Sequence, residues 1–186
     1  LDMRMDDSSG ISAAEWLAKV DEQFLVKVLF EYGEERFARR IAKAVVEARQ
    51  VSSLTTTLEL AKLIETAVPK REKHKHPATR SFQAIRIEIN NELDEIKQGL
   101  QQAIDCLKPS GRLVVISFHS LEDRIVKRFI RNESGRKNNP GRLPVREQDI
   151  EQGVLKKMGK AIKAGKLEVQ QNPRARSAVM RIAERV

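Results

Sequence analysis

The chain has 186 residues, which bounds it to one ordinary domain or one domain carrying an insertion. Its one cysteine, Cys106, excludes a disulfide framework and a cysteine-rich zinc site, and no apolar run approaches the roughly 18–20 residues that span a bilayer. A formal net charge of +9 favours a polyanionic partner through phosphate contacts and counterion release, with plain solubility as the alternative. A single thiol and no visible signal peptide suit a reducing, cytoplasmic location with no membrane partner.

Residues 1–11 are polar, carry Gly10 and read as a loop. Ser12 and Glu15 have the spacing of a capping box, and Leu17, Val20, Phe24 and Val28 then repeat at helical spacing. That pattern predicts one helix over about 13–31, ended by Gly33. A second helix, about 34–49, aligns Phe37, Ile41, Ala44 and Ala48. A third, about 57–67, is capped by Thr56 with Glu59 and closed by Pro69. Three helices with short connections and no intervening strand make a small helical module.

Residues 70–80 form a basic loop, in which Lys73, Lys75 and Arg80 are candidate phosphate contacts; a solvated charge run is the other reading. Phe82, Ile85, Ile89, Leu93, Ile96, Leu100, Ile104 and Leu107 predict one long helix over 82–107, with Cys106 as a small packing residue and Pro109 and Gly111 as its stop. Leu113–Phe118 is a continuous apolar run. It predicts a strand over 112–118 covered on both faces, as in a parallel sheet flanked by helices. Ser120 is read as the cap of a helix over 121–131, followed by a polar loop over 132–153. Two short terminal strands, about 157–164 and 177–186, are expected, with a final helix as the alternative. Helix, strand and helix in this order give an α/β fold.

Several residues could carry chemistry. His119 follows the strand, where catalytic and ligand groups of open α/β sheets gather; it is the candidate catalytic and substrate-contacting histidine, against a capping or packing role. Ser120 is a substrate contact or a cap, and no Gly-x-Ser-x-Gly elbow marks it as a nucleophile. His76 is a candidate substrate contact; with His74 it finds no third ligand nearby, so no metal is expected. Trp16 could stack on an exposed base or pack in the core. Arg4 could contact substrate or pair with Asp2 or Asp6. Arg124, Lys127, Arg128 and Arg131, with Arg136, Lys137 and Arg142, form a second basic zone that Arg174 and Arg176 could extend. At 4% aromatic content, a sheet lined with stacking rings is excluded.

Five phrases occur in order along the chain: Leu1–Asp6 followed by Ser12–Trp16, then Tyr32–Phe37, His76–Asn90, Ile116–Lys127 and Asn172–Ser177. Together they resemble the bacterial RsmH/MraW family of 16S ribosomal RNA (cytosine-N4) methyltransferases, from Leu1 to Val186. The resemblance implies the C-terminal part of a class I, Rossmann-like methyltransferase sheet with an inserted all-helical substrate-recognition domain. On that scheme 1–11 ends a catalytic-domain loop, 12–75 is the insert, and 76–186 is the C-terminal part of the methyltransferase domain.

It also implies S-adenosylmethionine as methyl donor, held mostly by an upstream half. The chain's glycines form no Gly-x-Gly turn, so no cofactor-binding residue is assigned here. The residues holding the acceptor amine are expected just upstream of Leu1, which places Asp2–Asp6 beside the active site. The implied activity is N4-methylation of a cytidine in 16S rRNA of the small ribosomal subunit, with this chain a fragment inactive alone. Two other readings stay open: a non-catalytic basic RNA-binding module, and a helical interaction protein that forms a homodimer along 82–107.

Overall fold

The computed structural model describes residues 1–69, 76–135 and 152–186. They divide into two compact units, Leu1–Glu92 and Leu93–Val186.

The first unit is helical: α1 (Ala13–Lys19), α2 (Glu22–Glu31), α3 (Ala38–Val51), α4 (Thr57–Ala67) and α5 (Thr79–Ile89). Both expected capping boxes form: Ser12 and Glu15 start α1, and Thr56 and Glu59 start α4. The single helix expected over 13–31 is two. Asp21 caps α2 by accepting the Phe24 N–H at 3.1 Å, and Arg49 from α3 donates to the carbonyls of Leu17 and Val20 at 2.8 and 2.7 Å. With both freed ends satisfied, the break between Lys19 and Glu22 costs little. The apolar repeat runs through that break, so spacing alone hid it. Leu17, Leu25, Leu29, Ile41, Leu60, Ile64 and Ile85 form the fully buried heart of this unit.

Gly33 follows α2 at a point with no room for a side chain. A Cβ there would lie 2.7 Å from the Leu29 carbonyl oxygen and 2.8 Å from that of Arg80. The end of α2 therefore rests directly on the first turn of α5.

The helix expected over 82–107 is also two, α5 and α6 (Glu92–Cys106). Asn91 takes φ +49°, a left-handed conformation that asparagine tolerates better than most residues. The Asn90 side chain donates to the Arg86 carbonyl at 2.8 Å, which closes α5. A continuous dimer seam over 82–107 is thereby lost.

The second unit combines most of α6 with β1 (Arg112–Ser117), α7 (Ser120–Glu133), β2 (Leu155–Lys157), β3 (Ile162–Lys163), α8 (Lys166–Gln171), a 3₁₀ turn (Pro173–Ser177) and β4 (Val179–Arg185). The strand order is β1-β4-β2, with β3 also on β4, and every pairing is antiparallel. Leu113 faces Ala183 in register, and both pack with Leu100, Ile104, Val126, Ile130 and Leu155. The expectation of a strand covered on both faces is corrected. Val114, Ile116 and Phe118 are 51%, 55% and 55% exposed, so within the described residues only the Leu113 face of β1 is covered. The last element is a strand, not a helix, because Val179–Arg185 supplies the central pairing partner for three others. The polar loop expected over 132–153 is described only at its ends; 136–151, with Arg136, Lys137 and Arg142, lie outside the described residues. No helix among the described residues is long and apolar enough to cross a membrane.

Candidate nucleotide pocket

Thr79, Phe82, Gln83 and Arg86 lie three and four residues apart, which places them on one face of α5. That face, together with α4, the turn at His76 and Met3 of the opening segment, lines an open cavity of about 690 Å³ within the helical unit. Such a volume suits a nucleoside-sized ligand. Met3, Leu58, Ala61 and Phe82 make its walls apolar, while His76, Gln83 and Arg86 bring polar groups to it.

The polar groups are oriented by their neighbours. His76 Nδ1 accepts the Ala78 N–H at 3.2 Å, a bond that leaves Nε2 as the proton-bearing nitrogen of the neutral ring. Gln83 Nε2 donates to the Tyr32 carbonyl at 3.3 Å, which fixes its amide. Arg86 makes a bidentate pair with Glu92, at 2.6 and 3.0 Å, so its guanidinium is a fixed planar group. Asn90, one turn beyond Arg86, holds the opening segment: its Oδ1 accepts the Met5 N–H at 2.7 Å and its Nδ2 donates to the Met3 carbonyl at 2.8 Å. Met3 itself has φ +69°, so these two bonds hold a strained residue against the cavity.

Of the residues singled out from sequence, His76 lines this cavity. Arg4 turns to Asp2, with Nε and Nη2 at 2.7 and 2.9 Å from its carboxylate. The Arg4 guanidinium holds the Asp2 carboxyl at about 2, well below its ordinary range. Trp16 packs on the core of the unit and meets Phe24 edge-on, with centroids 6.4 Å apart. Arg80 lies on α5, and its main chain abuts Gly33. Lys73 and Lys75 lie outside the described residues.

His119 and Ser120 belong to the second unit, at the carboxyl end of β1. The cap of α7 is His119 rather than Ser120: its Nδ1 accepts from the Glu122 N–H at 3.5 Å, and Glu122 accepts from the main-chain N–H groups of Phe118 and His119 at 2.7 and 3.1 Å. His119 Nε2 lies 3.2 Å from Glu122 Oε1, an ion-pair distance without hydrogen-bond alignment. Ser120 is the first residue of the helix and is exposed. Asp123, in the first turn of α7, forms a bidentate pair with Arg181 of β4 at 2.7 and 2.9 Å.

Met3 lies in the Asp2–Asp6 segment expected beside the active site, whereas Gln83, Arg86 and Asn90 were not singled out from the sequence. The available signal was the i, i+3, i+4, i+7 spacing of polar and apolar residues from Thr79 to Arg86, which was read only for its buried face.

Apolar walls with a few oriented donors are the features of ligand pockets, here on a helical scaffold; the second unit combines helices with antiparallel strands. The sequence profile of the MraW methylase family matches residues 1–186, and the chain belongs to that family. It is similar to proteins named ribosomal RNA small subunit methyltransferase H. The one from Thioalkalivibrio sulfidiphilus is 57% identical over all of this chain and 59% of its own length. The one from Idiomarina loihiensis is 58% identical over the whole chain and 59% of its own length. That of Thiobacillus denitrificans is 57% identical, with 60% of its length matched. The chain thus spans about three fifths of the curated relatives it matches.

Proposed function

We propose that this chain supplies the substrate-facing helical part and the closing antiparallel strands of an S-adenosylmethionine-dependent methyltransferase that modifies the N4 of a cytidine in 16S rRNA of the small ribosomal subunit. The observation that carries the reading is the meeting of two family phrases about 85 positions apart. Leu1–Asp6 and His76–Asn90 converge on one cavity, tied together by Asn90. The names of the relatives support the RNA substrate, and the net charge of +9 supports a polyanion.

In this reading residues 12–75 recognise substrate, 76–186 complete the Rossmann-like methyltransferase sheet, and the cavity takes the target base. Met3 and Phe82 offer apolar surface to its ring, and the His76 Nε2–H and the Arg86 guanidinium offer donors to its carbonyl oxygen or an adjacent phosphate. Methyl transfer to an exocyclic amine needs the base out of its stack and the amine aligned with the methyl group, so positioning is the main task of these residues. Burial of the base on apolar walls also excludes water from the amine.

S-adenosylmethionine, when bound, supplies the methyl group. The cavity does not fit it: among the described residues no carboxylate lines the cavity to hold the ribose hydroxyls, and no Gly-x-Gly turn occurs in the sequence. No step is therefore assigned to the cofactor from these residues.

The test is methyl transfer by the intact protein to small subunits isolated without the modification, followed by nuclease digestion and mass spectrometry of the nucleosides. N4-methylcytidine is expected. A methyl group on another base, or none, rejects the reading.

A further inference from the structure

The second unit holds a smaller concavity of about 240 Å³, remote in sequence from the nucleotide pocket and lined by residues of α7, the β2–β3 turn and β4. Its volume falls below the roughly 300–1,000 Å³ of pockets that enclose drug-sized ligands, and so suits a small group. Its charge is one-sided. Lys127 and Arg131 come from α7, Lys157 and Lys160 from the strand end and turn, and Arg181 from β4, with no acidic side chain among the described residues of the lining. Asp123 neutralises Arg181. Among the described residues, no ion pair joins Lys127, Arg131, Lys157 or Lys160 to a carboxylate.

Four uncompensated cations facing one hollow repel each other, and an anion offsets that cost. The carbonyl end of α7 accounts for Arg131 in its last turn, but not for the two lysines that arrive from the strands. Ser134, just beyond α7, lines the same hollow. Its hydroxyl is buried and has no hydrogen-bond partner among the described residues, so a donor awaits an acceptor beside the cations. Gly159, at φ +70° with nothing within 4 Å of its Cβ position, keeps the mouth open on the turn side.

We propose that this hollow is a phosphate subsite, in which Lys127, Arg131, Lys157, Lys160 and the Ser134 hydroxyl grip a backbone phosphate of the RNA. The inference rests on the RNA reading above. A phosphodiester supplies unesterified oxygens that accept from both ammonium groups and a hydroxyl, and a second grip fixes register without reading sequence.

The test uses the intact protein and the triple variant Lys127→Gln, Lys157→Gln, Lys160→Gln. All three side chains are exposed, so circular dichroism and melting are expected to match the parent. Affinity for a 16S rRNA fragment is measured from 50 to 300 mM salt. The variant is expected to bind at least about tenfold more weakly at the lower salt, with a log–log salt slope shallower by about 0.7–0.9, as for one phosphate, and the Lys→Arg triple variant to restore both. In turnover, the Gln variant is expected to raise KM for small subunits and keep kcat.

An unchanged slope overturns the subsite, whether or not the parent protein transfers methyl groups. A parent that transfers none, with the slope still shifted, rejects the methyltransferase reading and leaves the subsite standing. Inorganic phosphate is titrated in parallel: a variant that loses phosphate affinity but keeps the parent's RNA slope shows a site for a small phosphate metabolite, and overturns the RNA assignment.

Discussion

Asn90 grips Met3 and Met5 from the far end of α5: one side-chain amide both accepts the Met5 N–H at 2.7 Å and donates to the Met3 carbonyl at 2.8 Å. Replacement by alanine removes these bonds and the 2.8 Å bond that closes α5. At about 1 kcal/mol net for each, Asn90→Ala is expected to loosen the opening segment by about 1–3 kcal/mol. Hydrogen exchange of the Met5 amide is expected to accelerate accordingly, with a fall in methyl transfer, while the amides of α3 keep their protection. Undisturbed protection at Met5 would show that something other than Asn90 holds the segment.

Two glycines on helical ground are expected to respond in opposite directions. A Cβ on Gly33 meets main-chain oxygens of Leu29 and Arg80 at 2.7 and 2.8 Å, and the Ala84 Cβ at 3.2 Å. None of these is a flexible side-chain end, so α2 and α5 must part. Gly33→Ala is expected to cost about 2–4 kcal/mol. Gly99, exposed in α6, has nothing within 4 Å of its Cβ position. Gly99→Ala is expected to stabilise by about 0.5–1 kcal/mol through backbone entropy. Melting temperatures of the two variants decide the matter, and a Gly33→Ala protein as stable as its parent contradicts the close approach.

The sequence was informative where local chemistry and periodicity agreed. Thr56 with Glu59 marks the start of α4, and Leu113–Phe118 marks a strand, because a cap and an apolar run act within a few residues. The breaks at Asp21 and at Asn90–Asn91 were hidden by the same periodicity, since apolar spacing passes through both while the deciding bonds are tertiary: Arg49 at one, Met3 and Met5 at the other. His76, singled out within a distinctive phrase, lines the cavity. Gln83 and Arg86 were not singled out, because their place on its wall depends on which face of α5 is left for a cavity after the core has taken its share. Trp16 and Arg4 could each be a contact or a packing residue, and here they meet Phe24 and Asp2.

Glu122 ties the acid stability of the protein to the turn after β1. Burial pushes its carboxyl up, but the His119 ring and the main-chain N–H groups of Phe118 and His119 pull it further down, from 4.5 to about 2. A carboxyl whose folded value is depressed stabilises the fold in full above its unfolded value, and loses that contribution as pH falls toward the folded one. The loss therefore spans about pH 4.5 to 2. Across that window the unfolding free energy of the parent, from denaturant titrations, is expected to fall more steeply than that of Glu122→Gln, which keeps a side-chain acceptor but no charge. Parallel profiles for the two proteins would remove Glu122 from the account of acid sensitivity.

The Asp123–Arg181 pair sets the charge of the phosphate hollow. Its two bonds, 2.7 and 2.9 Å, join α7 to β4, and the Arg181 guanidinium draws the Asp123 carboxyl below its ordinary range. Asp123→Asn removes the countercharge and leaves Arg181 as a fifth uncompensated cation in the lining. Two opposed effects follow. The contact between α7 and β4 weakens, by about 1–2 kcal/mol for charge-assisted bonds that retain a neutral acceptor. RNA binding gains a cation beside the gripped phosphate, which tightens binding most at low salt. A lower melting temperature together with tighter RNA binding at 50 mM salt is the expected signature. Weaker RNA binding in this variant would mean that Asp123 is needed to aim Arg181, and that orientation outweighs the added charge.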